Sequence, residues 1–179
     1  MNIEIELKLR MKPDDLGRLR RHPALRPLRL ASARTRKLRN VYFDTEDLAL
    51  RKNRMALRVR HIGRQRIQTL KAPDSGVGGA AQHYLEWETA IEGDQPVLAE
   101  IADESVRDAL PDEAELRQAF VSDISRSTVP LVMRDSTIEL ALDTGEIATV
   151  NGSEQVCEAE LELKSGRPAR LYELALQLH

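Results

Sequence analysis

The chain has 179 residues, which is enough for one domain with a substantial core and hardly enough for two. Its 27 basic and 29 acidic residues give a formal net charge of -2, which argues against a general attraction to nucleic acid or to an anionic membrane. The single cysteine excludes an internal disulfide. The sequence shows no secretory signal, and no apolar run approaches the roughly 20 residues that span a bilayer, so we expect a cytoplasmic protein.

In chain order, the first half of the sequence holds mainly strand signals. Four strands are predicted there, at residues 2–10, 40–45, 55–61 and 65–71. A short helix that begins at Pro13 separates the first two, because proline and acidic residues favour the first helical turn. The dipeptide Gly63-Arg64 joins the last two strands as a hairpin.

The second half begins with a strand at 84–90 and then two predicted helices at 96–110 and 112–120, where apolar residues recur at helical spacing. Five further strands are predicted at residues 121–128, 130–135, 137–142, 146–150 and 154–164. Asn151-Gly152 is a strong hairpin signal between the last two, and a final helix begins at Arg170. Strands in such hairpin-like succession suit an antiparallel barrel, because closure removes edge strands.

Three of these strands carry a charged side chain at every second position. Successive side chains of a strand point to opposite faces, so each strand has one charged face and one apolar face. Glu4 with Glu6, and Glu158 with Glu160 and Glu162, form acidic faces, whereas Arg58 and Arg60 form a basic face. An ordinary solvent-exposed sheet face is the alternative, but exposed faces usually mix signs, because like charges that oppose each other repel.

This sorting of charge favours faces that line a wet tunnel, with the apolar faces outside beneath the helices. Carboxylates without histidine or cysteine suit Mg²⁺ or Mn²⁺. The planar fork of arginine binds phosphate oxygens, and lysine adds a point charge. No nucleophilic triad is evident in the sequence. The pattern therefore indicates metal-assisted chemistry on a phosphate-rich ligand.

Six motifs, in order along almost the full chain, resemble those of the CYTH superfamily, the triphosphate tunnel metalloenzymes. They are Glu4-Ile5-Glu6-Leu7-Lys8, Tyr42-Phe43-Asp44-Thr45, Leu57-Arg58-Val59-Arg60, Gln68-Thr69-Leu70-Lys71, Glu86-Trp87-Glu88 and the segment from Glu158 to Gly166. The details are most similar to the bacterial inorganic triphosphatase branch. The resemblance implies an α+β fold, an eight-stranded antiparallel β-barrel with flanking helices.

The same resemblance implies a division of the chain. Residues 1–166 would form the CYTH tunnel domain. Residues 167–179 would begin a C-terminal helix that leads to a following domain. In the inorganic triphosphatase branch, that domain is often a helical CHAD domain.

The resemblance also implies roles for the charged side chains. The expected metal ligands are Glu4, Glu6, Asp143, Glu158, Glu160 and Glu162. The expected substrate-binding residues are Lys8, Arg39, Arg58, Arg60, Lys71, Arg126 and Arg134. The expected catalytic residues are Glu4, Glu6, Lys8, Arg58, Arg60 and Lys71. Glu86 and Glu88 would be further tunnel-lining acids. Strand parity is unclear from Arg36 to Arg39, and Arg39 is taken as the residue that faces inward.

The implied activity is hydrolysis of tripolyphosphate to pyrophosphate and phosphate, with Mg²⁺ or Mn²⁺. A class IV adenylate cyclase and a thiamine or nucleoside triphosphatase are alternatives on the same fold, and the scarcity of aromatic residues disfavours both. A non-catalytic polyphosphate-binding module is an alternative of another class. The expected partners are tripolyphosphate or another triphosphate, a CHAD domain in cis and a second copy of the chain, without nucleic acid or a membrane.

Overall fold

A computed structural model describes residues 2–73 and 82–178, and it shows one closed antiparallel barrel. The eight strands are β1 (Asn2–Arg10), β2 (Arg34–Asp44), β3 (Ala56–Ile62), β4 (Gln65–Pro73), β5 (Gln82–Ile91), β6 (Arg117–Met133), β7 (Ser136–Thr149) and β8 (Gly152–Ser165). Their hydrogen-bonded order is β1-β5-β4-β3-β2-β6-β7-β8, and β8 closes the barrel on β1. The predicted fold class is confirmed.

The helices are short and flank the barrel. The described ranges contain α1 (Pro13–Arg20), α2 (Ala49–Lys52), α3 (Glu104–Arg107) and α4 (Ala169–Leu178), together with 3-10 turns at Pro23–Leu28, Leu98–Glu100 and Glu113–Glu115. In these ranges no helix has the length and apolar character needed to cross a membrane. The predicted helix that begins at Pro13 is confirmed, and so is the final helix, although α4 begins one residue before the predicted Arg170.

The two predicted helices at 96–110 and 112–120 are wrong. This stretch contains only single turns, and β6 begins already at Arg117. Its periodic apolar residues anchor an irregular connection instead, because Leu98 and Ile101 are buried against the barrel. The carboxylate of Asp112 caps one of the turns by accepting a hydrogen bond from the backbone N–H of Ala114 at 3.0 Å.

The predicted breaks in the second half of the sheet are also wrong, because β6 and β7 are each one long strand. Pro130 lies within β6 without loss of a ladder bond to β7. Its carbonyl accepts a hydrogen bond from the N–H of Leu30 at 2.9 Å, on the side of β6 that faces away from β7. The nitrogen and carbonyl of one strand residue point to the same side, so the proline nitrogen also faces away from β7. Pairing with β2 on that side has already ended at Thr128. In β7, Gly145 permits a close approach of β6, since a Cβ there would lie 2.0 Å from the carbonyl oxygen of Asp123.

The predicted hairpins are confirmed in outline. Gly63 and Arg64 connect β3 to β4, because Ile62 pairs with Gln65. The turn between β7 and β8 lies one residue earlier than predicted. Its loop residues are Val150 and Asn151, and Gly152 already pairs with Thr149.

The hydrophobic core lies outside the barrel, between the outer faces of the strands and the flanking segments. One cluster joins the helices α1 and α4 to strands β6, β7 and β8, and it includes Leu19, Leu131, Leu140, Leu161 and Leu174. A second cluster joins strands β2 to β5 to the segment that follows β5, and it includes Phe43, Val59, Leu70, Trp87 and Ile101. Because the apolar faces point outward, the polar and charged faces of the same strands enclose the interior.

Candidate active site

The inner faces of the strands enclose a cavity of about 1080 Å³. Its lining contains nine carboxylates and ten basic side chains. The acids are Glu4, Glu6, Glu86, Glu88, Glu139, Asp143, Glu158, Glu160 and Glu162, and the bases are Lys8, Arg34, Arg36, Arg51, Arg54, Arg58, Arg60, Lys71, Arg126 and Lys164. A dense but nearly balanced set of charges is thus held in a space of limited size, where it acts more strongly than on an open surface.

Carboxylates meet directly across neighbouring strands on one side of the tunnel. Glu6 on β1 pairs in register with Glu162 on β8, and Glu162 pairs with Glu139 on β7. The Glu6 side chain is buried and has no hydrogen bond or ion pair with a described residue. Burial, and then the nearby carboxylates of Glu160 and Glu4, raise the pKa of Glu6. Lys71 and Lys8 oppose this shift only in part, so Glu6 is incompletely neutralised within this acidic wall.

Next to Glu6, four side chains form a compact ion-pair network. Lys8 lies 2.7 Å from Glu160, and Arg126 lies 2.6 Å from the other oxygen of the same carboxylate. Arg126 also donates to both oxygens of Asp143, at 2.9 Å from Nε and 2.5 Å from Nη2. Burial opposes ionisation of Glu160, but Arg126 and Lys8 outweigh it and hold the pKa of Glu160 below its usual value. These carboxylates are compensated by the chain itself, unlike Glu6.

The basic wall has an excess of positive charge. Arg60 donates from Nε to Oδ1 of Asn40 at 2.9 Å, and none of the carboxylates in the described part of the chain lies within ion-pair distance of it. Burial, and then the neighbouring Arg58, lower the pKa of Arg60 to about 10. Arg58 has a buried Nε without a hydrogen-bond partner, and its closest carboxylate, Glu86, is 3.8 Å away. Two guanidinium groups are thus held together with little negative charge beside them.

Strands β4 and β5 connect this basic wall to the acidic one. Lys71 forms an ion pair with Glu4 and lies 3.7 Å from Glu86. Burial, opposed by Lys71, raises the pKa of Glu86. The hydroxyl of Thr69 donates to Glu88 at 3.2 Å, which orients that carboxylate on the tunnel surface.

The donor types of the acidic wall fit a hard divalent cation. Carboxylate oxygens dominate there, and Glu6 forms no ion pair with a described residue. In the ranges that the structure describes, however, no three acidic, histidine or cysteine side chains converge closely enough to hold a metal ion. Several of these carboxylates instead form ion pairs with lysines, as Glu162 does with Lys164 at 2.6 Å. Within this wall Glu6 forms no ion pair with a described residue, so its carboxylate is the one that remains open to such a cation.

Most of the predicted site residues line the tunnel, and two do not. Glu4, Glu6, Lys8, Arg58, Arg60, Lys71, Arg126, Asp143, Glu158, Glu160 and Glu162 all border the cavity, as do Glu86 and Glu88. The predicted inward orientation of Arg39 is wrong, because it shares the outer face with Val41 and forms an ion pair with Asp123 at 2.7 Å.

The placement of Arg134 in the site is also wrong. It occupies the exposed turn between β6 and β7 and lies 3.6 Å from Glu173 of α4. The prediction took Arg134 for part of a strand, whereas its φ of 55° places it in a turn at the end of the barrel.

Several polar residues of the tunnel were not predicted, and the orientation of Arg36 had been left open. Arg34 and Arg36 face inward from β2, and Arg36 pairs in register with Arg126. Neither arginine has an ion pair with a described residue. The missed residues also include Asn40, Tyr42, Ser122, Glu139 and Lys164. Apolar Val41 and Phe43 were the available signal, because they assign the odd-numbered positions of β2 to the outer core.

A closed barrel with its core outside and sorted charges inside defines a tunnel protein, and comparison with known proteins identifies the family. The model of the CYTH domain matches residues 2–179, so the chain belongs to the CYTH domain family. It is 29% identical over 170 residues to an inorganic triphosphatase of Haemophilus influenzae. That match covers 95% of this chain and 47% of the relative, so the chain spans about half the length of that protein.

Two solved structures show the same fold at low sequence identity. A protein from Bacillus halodurans proposed to be an adenylate cyclase is 21% identical, with a TM-score of 0.66 over 99% of this chain and 89% of that one. A proposed adenylyl cyclase from Hippeastrum, described as having a dominant triphosphatase activity, is also 21% identical, with a TM-score of 0.58 over 98% of this chain and 85% of that one. At this identity the likeness concerns the fold alone.

Proposed function

We propose that the protein hydrolyses inorganic triphosphate inside the tunnel, with Mg²⁺ or Mn²⁺, to pyrophosphate and phosphate. The observation that carries the proposal is the excess of positive charge at Arg58 and Arg60, in the same tunnel as the buried carboxylate of Glu6, which forms no ion pair with a described residue. A triphosphate with a bound divalent cation compensates both walls at once. The triphosphatase relative of Haemophilus influenzae supports the same assignment.

The side chains of the tunnel hold the substrate and stabilise the charge that develops during the reaction. Arg58, Arg60 and Arg36 have free donors for phosphate oxygens, and arginine matches these oxygens in a bidentate way. Water attacks the terminal phosphorus in line, the bond to the bridging oxygen breaks, and negative charge moves onto the leaving pyrophosphate. The fixed guanidinium groups stabilise that charge without having to reorganise.

A divalent cation would supply charge neutralisation between phosphate oxygens and the acidic wall. Glu6 would hold it together with Glu160 and Glu162, and Glu6 must be ionised to do so. The two other glutamates would then exchange their present ion pairs with Lys8, Arg126 and Lys164 for the cation. Asp143, predicted as a metal ligand, is already bound by Arg126 in a bidentate way. We infer that it orients Arg126 toward the substrate.

A nucleoside triphosphate is the second candidate substrate, and one observation favours it. Tyr42 borders the cavity and stacks on Phe120, with ring centroids 4.3 Å apart and an interplanar angle of 17°. This aromatic surface adjoins Arg58, which pairs in register with Tyr42. Nucleoside and thiamine triphosphates were disfavoured from the sequence, because the chain has few aromatic residues to contact an organic ring.

The test is phosphate release from tripolyphosphate, ATP and thiamine triphosphate, each with and without Mg²⁺. Metal-dependent turnover of tripolyphosphate in preference to ATP is the expected result. A cyclic product from ATP would instead identify a cyclase, and binding without turnover would identify a polyphosphate-binding module. Ligand at about one hundred times its Kd should also stabilise the fold by about 2.7 kcal/mol. An unchanged Tm throughout the titration would contradict binding in the tunnel.

The remaining expectations from the resemblance stay predictions. These are the CHAD domain in cis, the second copy of the chain, the cytoplasmic location and the role of residues 167–179 as the beginning of a connection to another domain. The structure adds that α4 packs on the barrel through Leu171 and Leu174, which are fully buried.

A further inference from the structure

The connection between β2 and β3 brings two arginines to one mouth of the tunnel. Strand β2 ends at Asp44 and β3 begins at Ala56, so residues 45–55 lie at this end of the barrel. Arg51 and Arg54, which we term the outer arginine pair, both border the cavity there. The first two residues of β2 that face inward, Arg34 and Arg36, lie toward the opposite end.

The connection is held in place by a buried carboxylate. Asp44 accepts hydrogen bonds from the backbone N–H groups of Thr45 and Leu50 at 2.8 Å and of Arg51 at 3.1 Å. The hydroxyl of Thr45 accepts another from the N–H of Ala49 at 2.8 Å. Leu50 is anchored in the outer core with 2% exposure. The backbone that carries the outer arginine pair is therefore ordered before any ligand arrives.

Arg54 has a φ of 59°, in the left-handed region that glycine adopts most easily. A side chain at such a position carries a backbone cost that glycine would avoid. Strain of this kind is often found where a side chain serves a ligand. The strained residue here is an arginine on the border of the cavity, so its guanidinium is a candidate to contact a ligand.

The outer arginine pair is not neutralised by its surroundings. Neither guanidinium forms an ion pair or a hydrogen bond with a described residue. The nearby Asp47 is bound instead by Lys52 at 2.8 Å. This contrasts with Arg126 inside the tunnel, which is bound by two carboxylates.

Basic side chains also line the path from the interior of the tunnel to this mouth. Arg60 and Arg58 face inward from β3, and Arg54 lies two residues before the start of that strand at Ala56; all four border the cavity. Basic side chains therefore follow the backbone from the basic wall toward the opening. A linear anion held at Arg58 and Arg60 would meet Arg54 if it extended in this direction.

We propose that the outer arginine pair is an anion subsite for phosphates that project from the tunnel, and that the ligand class is linear polyphosphate longer than three phosphates. The inference rests on the proposed function, because it assumes that the inner phosphates lie along the basic wall. It extends that function by adding a preference for chain length.

The test compares the Kd of tripolyphosphate with that of linear pentapolyphosphate by calorimetry, in one buffer with Mg²⁺. The variants are the wild type, the double variant Arg51→Gln/Arg54→Gly and the control Arg134→Gly. Arg134 is a matched control because it is also an exposed arginine with a positive φ, of 55°, but lies outside the tunnel. Glycine adopts both backbone positions freely, so both variants are expected to fold.

The wild type should bind pentapolyphosphate more tightly than tripolyphosphate. In the double variant this advantage should fall by about 25-fold, which is about fivefold or 1 kcal/mol for each exposed arginine. The control should keep the advantage. The proposal is overturned if the wild type gains nothing from the longer chain, if the double variant keeps the full gain, or if Arg134→Gly loses as much.

The outcomes also separate this proposal from the proposed function. Turnover of tripolyphosphate without any gain from the longer chain would refute the subsite and leave the function intact. Pentapolyphosphate binding that depends on the outer arginine pair, in a protein that neither binds nor hydrolyses tripolyphosphate, would support the subsite and refute the function. Binding of neither anion would refute both.

Discussion

Replacing Glu6 by glutamine should stabilise the free protein and abolish its metal-dependent turnover. Glu6 is buried, directly faces Glu162 across the strand pair, and has a pKa raised by burial and by Glu160 and Glu4. Directly opposed cross-strand charges contribute up to about 1 kcal/mol, so the neutral amide should stabilise the fold by about that amount at pH 7. For a chain of this size, this corresponds to a rise in Tm of about 2–4 °C.

The pH dependence of this gain has a defined sign. Because the folded-state pKa of Glu6 is raised above its usual value of 4.5, the fold is destabilised increasingly as the pH rises above that usual value, and the penalty is complete above the raised pKa. Below the usual value the carboxyl is protonated in both the folded and the unfolded state, and the penalty is absent. The Tm advantage of Glu6→Gln should therefore disappear as the pH is lowered toward about 4.

Thermal melts across this pH range, with and without Mg²⁺ and tripolyphosphate, test the reasoning together with a phosphate-release assay. With both ligands present the order should reverse, because the wild type gains ligand stabilisation that the variant lacks. Glu92→Gln, an exposed carboxylate outside the tunnel, is the matched control and should change neither property. A lower Tm for Glu6→Gln at pH 7, or retention of Mg²⁺-dependent turnover, would refute the assignment of Glu6.

Three further substitutions follow from the same geometry. Glu160→Gln should destabilise the fold by about 2 kcal/mol at pH 7, because it leaves Arg126 with fewer acceptors. This loss of stability should shrink as the pH falls through the lowered pKa of Glu160. Thermal melts that showed stabilisation would contradict this account. Arg36→Gln should weaken tripolyphosphate binding by about fivefold in a titration, whereas Arg39→Gln on the outer face should leave it unchanged. A larger loss of affinity in Arg39→Gln than in Arg36→Gln would show that the orientation of β2 is wrong. Arg58→Ala should lower kcat/KM by about 10- to 100-fold with changes in both parameters, and steady-state rates equal to those of the wild type would remove Arg58 from the site.

The strands with strict alternation were predicted correctly, and so was the face that each shows to the tunnel. Glu4 and Glu6, Arg58 and Arg60, and Glu160 all lie where the two-residue period places them. Alternation is a local property of the backbone, so a short segment is enough to reveal it. The outward position of the core followed from the same pattern, because each charged face leaves its partner face apolar.

The orientation of β2 was not predicted, although its sequence contained the necessary signal. Basic residues occur there on both parities, so charge alone does not distinguish Arg36 from Arg39. Val41 and Phe43 do, because they must reach the outer core and they share parity with Arg39. Applying the rule that apolar faces lie outside would have placed Arg36 in the tunnel.

The segment between β5 and β6 failed for a different reason. Its apolar residues recur at helical spacing, but Leu98 and Ile101 are drawn to the outer core of the barrel. Once these anchors are fixed, the segment forms three single turns, and aspartate side chains cap two of them. Helix propensity was overridden by packing, and packing depends on strands distant in sequence.

The sequence by itself determined which faces are charged, which are apolar, and that carboxylates and guanidinium groups lie on different strands. These properties follow from side-chain identity and the two-residue period. Only the tertiary structure decided which charges meet: Arg126 binds Asp143 and Glu160, while Arg60 and Glu6 form no ion pair with any residue that the structure describes. Such pairing depends on the register of strands far apart in the chain, and the register is set when the barrel closes on β1 and β8.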